Sequence, residues 1–366
     1  MIVLLIAGMV SLAFSLLFTP LFATLFRRMN LGQFIRADTP TTHQVKRGTP
    51  SMGGIIFIAA AVIGYFLAKL IGGEAPSASA LLVLLMMMGL GAVGFVDDFM
   101  KVKRQNSLGL SGTGKIIGTA VVAIIFALLS INMRDENGNA PASTAISFIR
   151  DIDALNFVAI FGPTLGIAAL IAWIVLVTTS VSNAVNLTDG LDGLAAGASI
   201  FAIGSYIIIG FWQANQSCFA KGLDSAVAYK CYDVSSPFEL ATVAAAIVGA
   251  LIGFLWWNTS PAQIMMGDTG AFGLGGALAA LAILSRTELL LVFIGGLFVI
   301  ITLSVILQVS YFKLTKGKRI WRSSPLHHHF EMKGWAEVTI VVRFWIIAGL
   351  FVTLGIGLFY IEWLSR

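Results

Sequence analysis

Long apolar stretches separated by short polar segments recur along the whole chain. An α-helix needs about 20 predominantly apolar residues to cross a bilayer's hydrocarbon core. The pattern predicts ten such spans, at residues 2–26, 52–71, 80–96, 115–131, 157–181, 194–213, 238–257, 271–284, 289–312 and 338–364. The eighth is short and glycine-rich, and reads as tilted, broken or re-entrant. The first span lacks a basic leader and a small-residue cleavage site, so it reads as a retained helix and not a signal peptide.

Composition agrees with this reading. Only 11% of the 366 residues are charged, against about 25% in an average soluble domain, and 58% are hydrophobic, with mean hydropathy +0.91. A soluble globular or a disordered chain is excluded. The fold class is an all-α polytopic integral membrane protein, organised as a single transmembrane domain over 1–366. With ten spans, the loops at 27–50, 97–115, 182–193, 258–270 and 313–337 share one face and hold 15 of the 23 Lys and Arg residues. By the positive-inside rule that face is cytoplasmic, and both termini are extracytoplasmic. Cys218 and Cys231 then fall in one outer loop, where an oxidising exterior would permit a disulfide; free thiols are the alternative.

Acids on the basic face sit beside membrane spans, where a carboxylate is costly unless paired, hydrated or metal-bound. Asp97 and Asp98 end the third span, at the end of a helix that disfavours negative charge. Pairing with Lys101 or Lys103 is one explanation, and a divalent cation that offsets their mutual repulsion is the other. Lys115 is the converse, a cation opening the fourth span, and it calls for an anion nearby. Asn186, Asp189 and Asp192 recur at intervals of three, which on a helix makes them neighbours. Thr188 or Asp189 could instead cap the sixth span, with Asp192 in its first turn. Asp268, between Gly267 and Thr269-Gly270, suits either an N-cap or a metal ligand. Lys46 and Thr49 precede the second span. His327, His328 and His329 are three of the four histidines, and because adjacent side chains diverge, at most two can face one point. Contact with phosphate or sugar fits them better than zinc.

Four segments in order, TPSMGG at 49–54, GFVDDFMKV at 94–102, NAVNLTDGLDGLA at 183–195 and MGDTGA at 266–271, resemble the polyprenyl-phosphate N-acetylhexosamine-1-phosphate transferase superfamily. PLHHHFEMKGW at 325–335 is similar to the run specific to its phospho-N-acetylmuramoyl-pentapeptide transferase branch. The resemblance covers essentially the whole chain. It implies a ten-helix membrane enzyme, a homodimer, with a cytoplasm-facing Mg2+-dependent cleft in the bacterial cytoplasmic membrane. The implied substrates are UDP-MurNAc-pentapeptide and undecaprenyl phosphate, the products lipid I and UMP, and no nucleic acid is involved. By the same resemblance Asp97, Asp98 and Asp268 are catalytic, with Asp268 a magnesium ligand. Asn186, Asp189 and Asp192 belong to the nucleotide-sugar region, Lys46, Thr49 and Lys115 line the cleft, and His327, His328 and His329 lie near the donor's sugar-phosphate. Met265 stands where many members carry an aromatic residue near the uracil.

These features suit transfer of a phosphoryl group between two anionic substrates, one of them lipid-borne. Asp98 is the candidate for activating or positioning the lipid phosphate, with Asp97 supporting it and Asp268 on the metal. A two-step route through a phospho-aspartyl enzyme competes with direct attack. The alternatives are a sister transferase using another UDP-N-acetylhexosamine, against which the HHHFE run argues, and a cation-coupled transporter. The transporter expects acids deep within helices, whereas these gather at helix ends.

Overall fold

The computed structural model describes residues 1–29, 48–104, 109–135, 137–219 and 228–366. Lys46 lies outside the described residues. Ten helices long and apolar enough to cross a membrane are present among those described: α1 (Ile2–Arg28), α2 (Gly54–Gly72), α3 (Ala78–Lys103), α4 (Gly112–Asn132), α5 (Phe157–Thr188), α6 (Leu194–Asn215), α7 (Pro237–Asn258), α8 (Gly267–Leu284), α10 (Gly296–Leu314) and α12 (Glu337–Ser365). A four-residue turn of helix, α9 (Leu291–Ile294), precedes α10, and a short α11 (Leu326–Glu331) precedes α12.

The expected ninth span is therefore two pieces, because the chain leaves helical geometry at Gly295 between α9 and α10. α5 bends at Gly162 (φ 75°), next to Pro163, which cannot donate a helical hydrogen bond. An antiparallel pair, β1 (Ala145–Ser147) and β2 (Asp151–Asn156), was not expected from the sequence. At three and six residues, these strands are too short to stand out among loop segments.

The glycine-rich α8 is a continuous helix, neither broken nor re-entrant, and nearly all of it is buried. Lipid tails are as apolar as leucine, so helices associate in membranes through close packing, which small residues permit. A Cβ on Gly94 of α3 would lie 2.2 Å from the Asp268 carbonyl, and one on Gly275 would lie 2.3 Å from Ser182 Cα in α5. Glycine thus lets α3 and α5 press directly against α8, with the site at the α8 N-terminus.

The other end of the bundle is tied by polar contacts. Lys69 Nζ lies 2.7 Å from Glu74 and 2.8 Å from Glu239, which also accepts the Tyr65 hydroxyl at 2.7 Å. Glu288 accepts the Ser147 N–H at 3.0 Å and the Ser147 hydroxyl. Arg150 pairs with Glu362 at 3.2 Å, donates to the Lys230 and Cys231 carbonyls and stacks on Tyr232. Cys218 and Cys231 form a disulfide, the bonded one of the two states the sequence left open. Both chain ends lie here, away from the aspartates: Tyr229 donates to the Arg366 carbonyl, and Val3 packs against Gly72, close to Glu74.

Candidate active site

Asp97 and Asp98 occupy the last turns of α3 and are almost wholly buried. The two carboxylates take hydrogen bonds from different elements. Asp98 reaches the start of α8, where its Oδ2 accepts the Thr269 N–H at 2.9 Å and the Thr269 hydroxyl at 2.7 Å, and its Oδ1 accepts the Asp268 N–H at 3.2 Å. Asp97 turns toward α4 and accepts the Leu110 N–H at 2.6 Å. Asp268 lies in the first turn of α8 but does not cap it; that role falls to Asp98 from another helix. One oxygen from each of the three carboxylates lies within 4.8 Å of the others.

Two ammonium groups enter this cluster. Lys101 lies 2.6 Å from Asp97, 3.1 Å from Asp268 and 3.7 Å from Asp98. Lys115 lies 2.5 Å from Asp268 and 3.0 Å from Asp97. The anion expected beside Lys115 is thus supplied by the protein's own carboxylates. Sequence reasoning treated Lys101 only as a surface pairing partner; its spacing from Asp97 and Asp98, one helical turn, was the available signal.

α5 ends at Thr188, with Asp189 as its C-cap. Neither Thr188 nor Asp189 caps the next helix: Thr188 bonds back to the Ala184 carbonyl, and α6 starts after Gly193 in the left-handed conformation. Burial pushes the Asp189 carboxyl up to about 8, and negative charge on Asp268, Asp98 and Asp192 adds to the effect. Asn186 sits one turn earlier, its carbonyl accepting the Asp189 N–H. The imidazole of buried His327 rests on Gly190, where a Cβ would lie 2.2 Å from Nε2.

The His327 and His328 rings meet edge-on, 4.4 Å between centres, and the other contacts of the three histidines go to different partners. His328 Nδ1 lies 2.9 Å from Glu331 Oε2, and His329 Nδ1 accepts the Arg322 N–H at 3.1 Å. Burial, with Lys333 and Arg322 nearby, holds the His329 imidazole below its ordinary pKa. His327 packs onto the aspartate loop. Two polar residues of α10, which sequence reasoning missed, hold the segment leading to α11. Gln308 accepts the Ile320 and Trp321 N–H groups, each at 3.0 Å, and Ser304 accepts the Leu326 N–H at 3.1 Å. An amide inside an otherwise apolar span was the signal for Gln308.

The segment 259–266 delivers the chain to Asp268. Thr49 adjoins Pro50, whose carbonyl accepts the Met265 N–H at 2.8 Å, and the Met265 carbonyl accepts the Gly53 N–H at 2.9 Å. Asp192 is buried and its Oδ2 accepts the Ala262 N–H at 3.0 Å. Its carboxylate thus braces a loop, and it is not one of the three that gather at α8.

Three convergent carboxylates offer hard oxygen donors, the type that suits Mg2+ or Ca2+ over softer metals. Asp97, Asp98 and Asp268 therefore fit a divalent ion, with Lys101 and Lys115 as cations already in the same space.

The glycosyl transferase family 4 model matches residues 80–286, which contain all three aspartates, so the bundle and its site define a polytopic membrane glycosyl transferase. Signature 1 of the phospho-N-acetylmuramoyl-pentapeptide-transferases matches residues 46–58. Proteins named phospho-N-acetylmuramoyl-pentapeptide-transferase are similar over their full length: 62% identity in Clavibacter michiganensis subsp. michiganensis, covering 100% of both chains, and 55% in Renibacterium salmoninarum, covering 99% of both. A third, from Kineococcus radiotolerans, is 55% identical over 99% of this chain and 98% of its own. The chain belongs to the phospho-N-acetylmuramoyl-pentapeptide-transferase family.

Proposed function

We propose that the protein transfers phospho-N-acetylmuramoyl-pentapeptide from its UDP-linked donor to undecaprenyl phosphate, yielding lipid I and UMP for peptidoglycan synthesis. The observation that carries this reading is the meeting of three carboxylates and two lysines at one end of a membrane bundle. A phosphoryl group passing between a soluble and a lipid-borne substrate needs its charge offset at that boundary. The site end is the cytoplasmic end in this reading, supported by the basic residues of 101–115 and 313–333. The working assembly is a homodimer in the bacterial cytoplasmic membrane.

Asp97, Asp98 and Asp268 would hold Mg2+, which would supply positive charge to offset that of the donor's diphosphate. An oxygen of the lipid phosphate attacks the phosphorus joined to the sugar, and the bond from that phosphorus to the bridging oxygen breaks, so UMP leaves with the oxygen. A phosphate monoester, with its second pKa of about 6, is largely ionised at neutral pH, so the acceptor needs little help from a base. Lys101 and Lys115 offset negative charge on the transferred group. Asp98, whose two oxygens accept three hydrogen bonds from α8, serves as a positioning carboxylate more naturally than as an activating one. His327, with Asn186, Asp189 and Asp192, contributes to the nucleotide-sugar pocket, and Thr49 to its rim.

Purified protein given UDP-MurNAc-pentapeptide, undecaprenyl phosphate and Mg2+ is expected to release UMP, and omission of any component to stop release. Equal turnover with UDP-GlcNAc would assign the chain to a sister activity instead. Exchange of labelled UMP into the donor without acceptor would replace direct attack by a phospho-aspartyl route.

A further inference from the structure

Two loops, 189–193 with its site residues and 259–266 leading to Asp268, come from different connections, and a hydrogen bond between Asp192 and Ala262 joins them directly. A single carboxylate from a third region touches both. Glu337 lies in the first turn of α12, six residues beyond the end of α11. It accepts the Asp192 N–H at 2.9 Å through Oε1, and its Oε2 lies 3.5 Å from the Ser260 hydroxyl. Asp192 closes the circuit by accepting the Ala262 N–H at 3.0 Å.

The anchor is itself fixed. Trp345, two turns along α12, lies against Gly197 of α6, where a Cβ would come 2.1 Å from the indole. Arg343 stacks over Trp335, 4.4 Å from its ring centre, so the chain entering α12 is held as well. On its far side the 259–266 loop is tied by Arg27, which donates to the Gln263 carbonyl at 3.1 Å, and by the Met265–Pro50 hydrogen bond. The loop is thus clamped between two supports, and Glu337 is the support shared with the aspartate loop.

We propose that Glu337 is a positioning residue for the nucleotide-sugar donor: through Asp192 and Ser260 it holds 189–193 and 259–266 at the separation the donor occupies. This rests on the donor-binding reading given above. A loop held before binding spares the ligand the cost of ordering it, so losing the clamp weakens donor binding and leaves the chemical step largely intact. Glutamine keeps an oxygen able to accept the Asp192 N–H, whereas alanine keeps none.

The test uses the full-length protein in nanodiscs. Glu337→Ala is expected to raise the donor KM about tenfold, the equivalent of one hydrogen bond to a charged group. Its kcat and acceptor KM should stay within about threefold of wild type, and Glu337→Gln should recover the donor KM to the same margin. Hydrogen exchange read on peptides spanning 189–193 and 259–266 should accelerate in Glu337→Ala and not in Glu337→Gln. A donor KM within about twofold of wild type in Glu337→Ala overturns the proposal, as does equal impairment of both variants or unchanged exchange. A fall in kcat that tracks lost thermal stability reduces Glu337 to a structural residue and also overturns it. If Glu337→Ala does not fold, Ser260→Ala, which removes one arm, should raise the donor KM about threefold, and an unchanged KM rejects the clamp. Absence of any transfer by the wild type would instead reject the proposed function, and the exchange comparison alone would then decide whether Glu337 holds the two loops.

Discussion

Asp98 and Thr269 are 171 positions apart, and one carboxylate oxygen of Asp98 accepts both the backbone N–H and the hydroxyl of Thr269. An acid misplaced on its own helix is well placed on its neighbour's. α3 presents its negative end at Asp98, but the free N–H groups of the α8 N-terminus favour a carboxylate there. Thr269→Val keeps the shape and removes the hydroxyl donor. It should cost about 1.5–3 kcal/mol, the range for a hydrogen bond to a charged group, while Thr269→Ser recovers most of it. Thermal unfolding of the purified variants checks this, and equal stability of Val and Ser variants would contradict it.

Asp268 has the most accessible side chain of the carboxylate cluster, 15% exposed against 1% for Asp97 and 5% for Asp98. It is therefore the group through which a hydrated ion and a phosphate can meet the protein. Asp268→Ala should reduce UMP release by about a hundredfold or more. It should also weaken Mn2+ binding, followed by electron paramagnetic resonance without substrates. Chelation should stop the wild-type reaction and Mg2+ restore it. Unaltered Mn2+ affinity in the variant would move the ion elsewhere.

His327 can be displaced without being mutated. A methyl group on Gly190 would occupy the position of its Nε2 edge, so Gly190→Ala should push the imidazole off the aspartate loop. The expected result is a donor KM raised about tenfold, similar to that of His327→Ala, with little further loss when the two are combined. Full additivity in steady-state kinetics would mean that the residues act separately.

Glu288 provides a pH signature at the end remote from the site. Burial pushes its carboxyl up to about 7, although the Ser147 hydrogen bonds favour ionisation. The folded protein therefore holds a proton that the unfolded chain releases near 4.5. Its contribution to stability is complete below 4.5 and disappears as pH rises through about 7. Unfolding midpoints measured across this interval should fall with rising pH in the wild type and flatten in Glu288→Gln. Identical slopes would refute the assignment.

The Cys218–Cys231 disulfide closes a 13-residue separation, for which loop entropy gives about 3 kcal/mol. Replacing both cysteines with serine should lower thermal stability by that order and leave UMP release close to wild type, since the loop lies opposite the aspartates. A large loss of turnover at a temperature where the variant stays folded would tie this loop to the site.

Sequence alone sufficed for the ten spans, because each carries its apolar pattern locally and hydrocarbon imposes a minimum length whatever surrounds it. It also marked Asp97, Asp98, Asp268 and Lys115, each placed against local rules of helix charge or burial. It did not mark Glu337, Gln308 or the role of Lys101, which look like ordinary helix-end or span residues until their partners are known. Capping rules left Asp189 open as a cap for α6 and Asp268 open as a cap for α8, and neither acts as one: α6 starts after Gly193 in the left-handed conformation, and Asp98 supplies the α8 cap across 171 positions. Residue type and spacing dictate which groups are costly to bury. Which distant group relieves that cost is decided only when α3, α4, α8 and α12 pack together, since hydrogen bonds form by proximity in space and carry no trace in the intervening chain.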